Sequence, residues 1–380
     1  MRYFIIAGEA SGDLHASNLM ASLKKEDPCA EFCFLGGDLM AAQGGKLVRH
    51  YRDMAFMGIV SVIRNLDKVM DNMKAAQKEL LAFRPDVLIL VDYPSFNLKM
   101  AKFAKKNLPG LPVFYYISPK LWAWKEYRIK DMKRYVDRVY SILPFEVDYF
   151  KGHDFEVEYV GNPCVDAVEN RPHKDESFAE FSERTGVEQR PTIALLAGSR
   201  KQEIRSSLPI MLEAASSFKD YQLVIAGAPS MTKDDYEPLL SKYSAKVVFG
   251  ETYELLQQAE ASVVTSGTAT LETALLRTPQ VVVYKLSGGW LLHRILEHII
   301  HVPFISLVNL IANKEVVKEL IIEEFTVENV KKQLALLFDP SNRERMLKDY
   351  DDLITLLGKE PVSDKAAHAM YARLSGNGIC

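Results

Sequence analysis

The stretch from residue 262 to residue 285 constrains the fold of this chain most. A β-branched run at 263–265 is followed by the small residues 266–268 and then by an Ala- and Leu-rich segment. Pro279 ends that segment before a second β-branched run at 281–284. The pattern predicts a strand, a turn, a helix and a second strand, which is the repeating unit of an α/β fold.

The turn of this unit is a candidate nucleotide site. It consists of Ser266, Gly267 and Thr268, so backbone N–H groups at the helix start can approach a ligand, and the helix dipole favours negative charge there. Glu272 lies about one helical turn further on, where a carboxylate could accept hydrogen bonds from ribose hydroxyls. An ordinary capped helix start, with Glu272 complementing the dipole, explains the same residues equally well.

Composition predicts two domains and argues against several classes of protein. A chain of 380 residues with 48% apolar residues is too long for one ordinary core. The formal net charge of −3 gives no general attraction to nucleic acid. The four cysteines lack zinc-site spacing, which favours reduced thiols in a cytosolic protein. Without a signal-peptide core or an apolar run of membrane-spanning length, we expect a soluble or peripherally bound protein.

Strand-like and helical segments alternate along the chain. Strands are expected at 2–7, 31–35, 86–91, 113–117, 138–143, 156–160, 192–197, 222–226, 246–249, 262–265 and 281–284. This alternation predicts two doubly wound parallel sheets, with the cleft between the domains as the default ligand site. We place the domains at 1–168 and 185–354 and interpret the polar stretch 170–190 as the linker between them.

Two strand ends in the first half have candidate functional residues. The small-residue loop 8–13 follows the first strand, but it lacks both the dinucleotide glycine spacing and the Lys of a Walker loop. Asp92 follows the strand at 86–91, where an acid in an open α/β sheet faces the ligand, so it is a candidate general base. A simple helix cap is the alternative for Asp92.

Further candidates follow the strands at 113–117 and 192–197. Trp122 and Trp124 could form the wall of a sugar or acyl site, although helix packing explains them equally well. Arg200 could pair with a phosphate, or it could be only a solvated surface charge. Asp349 and Asp351 match an Asp-x-Asp metal pattern, but their charged helical setting indicates a solvated face, so no metal is predicted.

An apolar run at 54–63 is flanked by the cations Lys46, Arg49, Arg52 and Arg64. Apolar side chains that enter the headgroup boundary beside cations are typical of a monotopic membrane surface. The residues of this predicted surface are Met57, Ile59, Val60, Val62, Ile63 and Leu66. A buried strand and helix start is the alternative, and the residues alone slightly favour it. A second apolar helix is expected at 290–300.

Several motifs together resemble the lipid-A-disaccharide synthase family, whose members are inverting glycosyltransferases of the GT-B fold. In the first half the matching residues are Ala7-Gly-Glu-Ala-Ser-Gly-Asp13, Met57-Gly-Ile-Val60, Asp92 with Pro94 and Phe96-Asn97, and Ser118-Pro-Lys-Leu-Trp-Ala-Trp124. In the second half they are Gly198-Ser-Arg200 with Glu203, Ser266-Gly-Thr-Ala-Thr-Leu-Glu272, and Ser306-Leu-Val-Asn-Leu310 leading to Glu315. The resemblance spans nearly the whole chain.

The resemblance implies a reaction between two acylated sugars. A 2,3-diacylglucosamine would pass from its UDP derivative to the 6-hydroxyl of 2,3-diacylglucosamine 1-phosphate (lipid X), giving a β-1,6 disaccharide and UDP. Asp92 would be the general base, with Glu9 and Ser11 beside the acceptor. Arg200, Glu203, Ser266, Gly267, Thr268, Glu272 and Asn309 would lie on the nucleotide side, and Trp122 and Trp124 would contact substrate.

The resemblance also implies the setting of the enzyme. The expected fold is two doubly wound Rossmann-like domains facing a cleft, with the final helix, about 355–380, returning to the first domain. The expected location is the cytoplasmic face of the inner membrane, with no cofactor, metal or nucleic acid. The chain has Gly161-Asn162 where many relatives have Gly-His, and Ser95 where some have a second acid.

Two other interpretations stay open from the residues alone. One is a GT-B enzyme that acts on another UDP-sugar, including a UDP-sugar 2-epimerase, which needs no acyl-binding surface. The other is a nucleotide-sugar-binding or membrane-tethering protein without catalysis.

Overall fold

The computed structural model describes residues 1–54, 66–123, 126–285 and 303–376. The chain divides into two compact units, which are Met1–Pro163 with Glu360–Cys380 and Cys164–Lys359. Each unit contains one parallel sheet. The predicted α/β class with two doubly wound sheets is therefore confirmed.

The sheet of the first unit has seven strands. They are β1 (Arg2–Ala7), β2 (Glu31–Gly36), β3 (Lys46–His50), β4 (Val87–Val91), β5 (Val113–Tyr116), β6 (Arg138–Ser141) and β7 (Glu158–Tyr159). The strand order is β3-β2-β1-β4-β5-β6-β7, and every neighbouring pair is parallel. The order reverses between β1 and β4, which is the switch point where ligands bind in open α/β sheets.

Helices cover both faces of this sheet. They are Ala10–Glu26, Asp38–Ala42, Leu66–Phe83, Pro94–Asn107, Ile129–Tyr135, Phe145–Lys151 and Val362–Leu374, and short 3₁₀ turns occur at Tyr51–Asp53 and Glu126–Arg128. Alternate residues of β1 enter two separate apolar cores, Phe4 and Ile6 on one face and Tyr3 and Ile5 on the other. This two-sided burial is why the strand is an unbroken apolar run.

The last described helix, Val362–Leu374, packs on the first unit. Its residues Val362, Ala366 and Met370 share a core with the first helix of the chain. Asp364 accepts a hydrogen bond from Ser22 Oγ at 2.6 Å and forms an ion pair with Lys25 at 2.8 Å. The end of the chain thus completes the core of a unit formed mainly by its beginning.

The sheet of the second unit repeats this arrangement with six strands. They are β8 (Thr192–Leu196), β9 (Gln222–Gly227), β10 (Ala245–Phe249), β11 (Ala261–Thr265), β12 (Gln280–Tyr284) and β13 (Glu319–Ile321), in the order β10-β9-β8-β11-β12-β13. The described helices of the second half are Pro163–Glu169, Phe178–Thr185, Lys201–Ala215, Lys233–Leu240, Thr252–Gln258, Thr268–Leu275, Leu307–Ala312, Val327–Leu337 and Pro340–Leu357. In the second sheet every neighbouring pair of strands is parallel, and the switch point lies between β8 and β11.

Three elements were not expected from the sequence. β3 and β13 are edge strands with few apolar residues, so neither shows a clear strand pattern. The helix Phe178–Thr185 lies within the stretch interpreted as a linker, and a capping box of Ser177 and Glu180 begins it.

Several predicted features fall outside the described residues. These are the membrane-surface residues Met57, Ile59, Val60, Val62 and Ile63, the indole of Trp124, and the apolar segment at 290–300. Leu66 is the first residue of the helix Leu66–Phe83. Of the helices that the structure describes, none is both long and apolar enough to cross a bilayer.

Candidate active site

Two carboxylates leave the first sheet side by side at its switch point. Ala7 at the end of β1 pairs in register with Val91 at the end of β4. Glu9 follows β1 after one glycine, and Asp92 follows β4 directly. The negative charge of Glu9 contributes to raising the pKa of Asp92, after the larger effect of burial. The two predicted acceptor-side acids are thus at one edge of the sheet.

The backbone at Asp92 has an uncommon conformation that its neighbours hold in place. Asp92 and Tyr93 have φ angles of 44° and 48°, in the left-handed region that non-glycine residues rarely adopt. The Asp92 N–H donates to the Tyr116 carbonyl at 3.1 Å. Its own carbonyl accepts from Asn97 Nδ2 at 2.6 Å and from the Tyr115 hydroxyl. Such strain is characteristic of functional sites and persists because these contacts fix it.

The environment of the Asp92 carboxyl suits a general base. Burial raises its pKa and Glu9 raises it further, whereas a hydrogen bond from the Tyr93 N–H and the charge of Lys120 lower it. A carboxylate with a raised pKa accepts a proton more readily than an ordinary surface aspartate. A carboxylate whose pKa is raised by desolvation and by a like charge is also a candidate functional residue.

The small-residue loop after β1 packs against Tyr93. A Cβ atom on Gly8 would lie 2.3 Å from the Tyr93 ring, so only glycine fits there. The Tyr93 hydroxyl donates to the Met54 carbonyl at 3.1 Å. Ser11 is exposed and Glu9 is half-buried at the start of the helix Ala10–Glu26. The two predicted acceptor-side residues therefore lie at the N-cap and in the first turn of the helix that follows Gly8, and Gly8 contacts the residue after Asp92.

Asp13, in the first turn of the helix Ala10–Glu26, has a structural role that its sequence position did not reveal. Its carboxylate accepts backbone hydrogen bonds from Gly37 at 2.7 Å and from Leu39 and Met40 at 3.1 Å each. These are the first N–H groups of the helix Asp38–Ala42 and its flanking residue. Asp13 therefore caps that helix, at a distance of about 25 residues in sequence that motif spacing does not predict.

Trp122 lies on a loop that follows β5. Its indole is half-buried, stands edge-on to Phe145 at 5.0 Å between ring centroids, and donates through Nε1 to Glu146 at 2.9 Å. Glu146 was not expected as a site residue, because a single acid at a helix start is an ordinary sequence feature.

The second unit has a cavity of about 340 Å³ at the carboxyl ends of its strands. Its lining includes residues that follow β8, β9 and β11. The full set is Leu196, Gly198, Ser199, Glu203, Ala226, Gly227, Ala228, Pro229, Thr252, Thr265, Ser266, Gly267, Thr268 and Ala269. The cavity is therefore at the switch point of this sheet, where nucleotides bind in doubly wound folds.

The helix Thr268–Leu275 begins at this cavity. Its first turn contains no acidic residue, and within the described ranges no side chain caps it. Gly267 has an ordinary extended φ of 160°, and a Cβ placed on it would meet nothing within 4 Å. The unsatisfied N–H groups of this helix start are thus accessible from the cavity, as an anion site requires.

Arg200 and Glu203 form an ion pair of 3.0 Å at the rim of this region. Glu203 lines the cavity, whereas the Arg200 side chain is 73% exposed and is not part of the lining. Gly198 has a φ of 110°, and a Cβ there would lie 2.9 Å from Glu203 Oε2. That glycine allows the strand to end in direct contact with Glu203.

Glu272 and Asn309 are engaged within the protein. Glu272 is half-buried and accepts from the Tyr253 hydroxyl at 2.8 Å, and burial raises its pKa. The Asn309 side chain is fully buried and donates to Val317 O and to Glu319 Oε1, both at 2.8 Å. Its oxygen accepts from the N–H groups of Val316 and Val317 at 2.8 and 3.0 Å. In this conformation the Asn309 amide uses its full hydrogen-bonding capacity within the protein.

Glu319 supports the nucleotide-side turn, and no sequence motif pointed to it. Besides Asn309, its carboxylate accepts from Ile305 N and Ser306 N, both at 2.9 Å, and from Ser306 Oγ at 2.7 Å. The Ile305 carbonyl in turn accepts from Ser266 Oγ at 2.9 Å. A buried acid on a three-residue edge strand thus fixes the segment that holds Ser266.

The structure also locates the charged pairs considered for metal binding. Asp349 pairs with Lys314 at 2.6 Å, and Asp351 pairs with Arg277. In the described parts of the chain, no three His, Cys, Asp or Glu side chains form a metal-binding group. The absence of a metal requirement stays a prediction.

Comparison with known proteins decides the family. A sequence model described as lipid-A-disaccharide synthetase matches residues 3–372. The chain belongs to the lipid-A-disaccharide synthase family. The synthase of Syntrophus aciditrophicus (strain SB) is 38% identical over 372 residues, covering 96% of this chain and 95% of that protein. The synthase of Myxococcus xanthus (strain DK1622) is 38% identical over 386 residues, covering 98% and 97%.

Solved structures show the same fold as this synthase-family chain. The UDP-GlcNAc 2-epimerase from Neisseria meningitidis bound to UDP-GlcNAc has a TM-score of 0.67 at 14% identity, covering 97% of this chain and 99% of that one. The glycotransferase of kitacinnamycin has a TM-score of 0.60 at 14% identity, covering 98% and 99%. The GT-B prediction is confirmed, and membership of the synthase family identifies the chain as a glycosyltransferase.

Proposed function

We propose that this chain transfers 2,3-diacylglucosamine from UDP-2,3-diacylglucosamine to the 6-hydroxyl of lipid X. The products are the β-1,6 disaccharide 1-phosphate and UDP, as lipid A biosynthesis requires. The observation that carries the proposal is Asp92, a half-buried carboxylate with left-handed backbone at the switch point of the first sheet, in a chain that matches the synthase family over residues 3–372.

The donor diphosphate is proposed to bind in the cavity of the second unit. The open start of the helix Thr268–Leu275 supplies backbone N–H groups and the positive end of a helix dipole. Glu203 and Ser266 border the same region, and the exposed Arg200 side chain, now paired with Glu203, can exchange that partner for a phosphate. Glu272, one turn into the helix, is the candidate partner of the ribose hydroxyls.

The acceptor is proposed to bind at the carboxyl edge of the first sheet, beside Glu9, Ser11, Asp92 and Trp122. Asp92 removes the proton of the 6-hydroxyl while that oxygen attacks the anomeric carbon. The bond from the anomeric carbon to the diphosphate oxygen breaks, and UDP leaves with the bonding electrons. A single displacement of this kind inverts the anomeric centre.

The helix-start N–H groups meet the charge that develops on the leaving diphosphate. Donors fixed before the reaction stabilise such charge without reorganisation, which is the most effective form of electrostatic catalysis. On this mechanism no metal is needed, so turnover is expected to persist in the presence of a chelator.

We further propose that the enzyme works at the cytoplasmic face of the inner membrane. Both substrates have acyl chains, and the sequence at Met57, Ile59, Val60, Val62, Ile63 and Leu66 has the apolar, cation-flanked pattern of a monotopic surface. Substituting Ile59 or Val62 by Asp should weaken binding to anionic liposomes. Unaltered binding would show that these side chains belong to the core.

Product analysis with paired donors tests the proposed reaction. The purified chain is incubated with lipid X and either UDP-2,3-diacylglucosamine or deacylated UDP-glucosamine, with and without EDTA. We expect disaccharide and UDP from the acylated donor alone, with or without EDTA. Equal turnover of the deacylated donor would contradict the substrate assignment, and epimerised UDP-sugar as the product would support the rival epimerase function.

A further inference from the structure

A buried carboxylate lies close to the acceptor side of the first unit. Glu146, at the start of the helix Phe145–Lys151, is 1% exposed. Its oxygens accept hydrogen bonds from Ser118 Oγ at 2.6 Å, from Trp122 Nε1 at 2.9 Å and from Ser141 Oγ. All three donors are neutral groups. Because Ser141 ends β6 and the other two donors lie on the loop after β5, this one carboxylate joins the two segments.

Core stability alone does not account for an acid at this position. Burial raises the pKa of Glu146, and the three hydrogen bonds oppose that rise. Moving a carboxylate out of water costs several kcal/mol. Well-packed apolar side chains at the same position would avoid that cost. Three donors from separate segments make sense where a fixed geometry is needed, because a fully satisfied buried polar group specifies one arrangement of its partners.

The loop that Glu146 holds is next to Asp92. We define it as the 118–122 loop, which follows β5, the neighbour of β4. Tyr116 at the end of β5 accepts the Asp92 N–H, and the chain then turns sharply at Ile117, whose φ is 64°. Ser118 and Trp122, at the two ends of the loop, are both hydrogen-bonded to Glu146.

The 118–122 loop also has a cation that acts on both acids. Burial raises the pKa of Asp92 and of Glu146, and the charge of Lys120 lowers the pKa of each. Lys120 itself is exposed, so its side chain depends on the loop backbone for its position. Whatever fixes the two ends of the loop therefore fixes the charge beside the candidate base.

We propose that Glu146 is a positioning residue for the acceptor side of the reaction. By holding both ends of the 118–122 loop, it keeps Lys120 and the Trp122 indole in place on the acceptor side of the first unit. This inference rests on the proposed role of Asp92 as general base. Glu146 touches neither substrate nor reacting atoms, so its effect is exerted through the loop.

The charges that act on Asp92 determine how its pKa changes when the 118–122 loop becomes mobile. Among the described residues, Glu9 and Lys120 are the charged groups that act on the pKa of Asp92, which also receives a hydrogen bond from the Tyr93 N–H. Arg128 acts on the neighbouring Tyr115. Lys120 lowers the pKa of Asp92, so a displaced Lys120 allows that pKa to rise. The acidic limb of the pH profile of kcat/KM then moves to higher pH, because the base becomes protonated earlier as the pH falls.

The test compares Glu146→Gln with matched variants of the full chain. In Glu146→Gln we expect kcat/KM for the acceptor to fall about ten- to hundredfold, since misplacements of about 1 Å cost up to about 10²-fold. The acidic limb should move to higher pH and the tryptophan fluorescence should change, while UDP affinity stays at the wild-type value. Lys120→Met should move the limb in the same direction, and the double variant should move it no further.

Ser141→Ala is the control, because it removes one hydrogen bond to Glu146 without touching the loop. Its acceptor kinetics and pH profile should match those of the wild type. If Glu146→Gln fails to fold, Ser118→Ala and Trp122→Phe each remove one end of the contact and should each reproduce part of the effect.

Three results would overturn the inference. They are unchanged acceptor kinetics in Glu146→Gln, an acidic limb of its pH profile that does not move, and a double variant whose limb moves by the sum of the Lys120→Met and Glu146→Gln displacements. Failure of the proposed function has a different signature, since the wild-type chain would then form no disaccharide. An active wild type with an unaffected Glu146→Gln variant rejects the positioning role alone.

Discussion

The two units have the same sheet order around their switch points but opposite chemistry at the edge where ligands bind. In the first unit, β1 and β4 lead into the carboxylates Glu9 and Asp92. In the second, β8 and β11 lead into glycines and small residues, with a helix start that presents free N–H groups. One edge accepts protons and the other donates hydrogen bonds.

This difference shows that strand order brings two strand ends together but does not choose their chemistry. The edge residues make that choice, by supplying half-buried carboxylates in one unit and backbone N–H donors in the other. The pair suits a reaction in which an alcohol loses a proton and a diphosphate leaves as an anion. Substitutions that alter one edge should therefore leave the ligand of the other edge unaffected.

Asp92→Asn should have the largest effect. The amide cannot accept the proton, so we expect kcat to fall about 10²- to 10⁴-fold, which is the usual contribution of a general base. UDP affinity, measured by titration calorimetry, should stay unchanged because the diphosphate belongs to the other edge. The melting temperature should not fall, since the variant removes a carboxylate whose pKa burial raises.

Wild-type turnover in Asp92→Asn would rule out the base assignment. A loss of both activity and UDP binding would instead show that the two edges are not independent.

Gly267→Asp should act on the opposite edge. Two unit charges about 4 Å apart interact by about 4 kcal/mol at an effective dielectric constant of about 20, so an acid at the helix start should repel the diphosphate. We expect UDP affinity to fall at least about tenfold, or about 1.4 kcal/mol. The folded state should be as stable or more stable, because Asp is favoured at a helix start.

Gly267→Ala is the matched control for this variant. A Cβ there meets nothing within 4 Å and the backbone is extended, so stability and UDP affinity should stay close to the wild type. Equal losses in the Ala and Asp variants would show that shape, rather than charge, matters at this turn.

Glu319→Gln should have a smaller effect on the same edge. The variant places an amide NH₂ among the donors of Ile305, Ser306 and Asn309, and leaving such groups unsatisfied costs about 1–3 kcal/mol. We expect lower stability of the second unit in urea and a modest loss of UDP affinity through Ser266. The exposed Glu323→Gln makes the same charge change and should affect neither quantity.

Glu9→Gln should give the smallest change, a displaced pH profile. The charge of Glu9 helps to raise the pKa of Asp92, so its removal lowers that pKa. The acidic limb of kcat/KM should move to lower pH, opposite in sign to the displacement expected for Lys120→Met. A limb that moves to higher pH, or does not move, would contradict the electrostatic coupling of the two acids.

Local patterns were enough to predict the strand ends but not the side chains that support them. Apolar runs bounded by small residues located β4 and β11, and therefore placed Asp92 and the 266–268 turn correctly at strand ends. Glu146 and Glu319 escaped notice, because each acts on a segment that becomes its neighbour only in the folded chain. The edge strand β3 was missed because most of its residues are exposed, and β13 was missed because three residues are too few to show a periodicity.

The sequence by itself determined the fold class, the strand ends that carry the proposed sites and the family, because periodic burial and ordered motifs are local properties of a chain. Only the tertiary structure decided that Asp92 is strained, half-buried and close to Glu9, and that the Asn309 amide is fully hydrogen-bonded within the protein. The burial, the pKa and the hydrogen bonds of a side chain depend on which distant segments of the chain pack around it, and only folding brings those segments together.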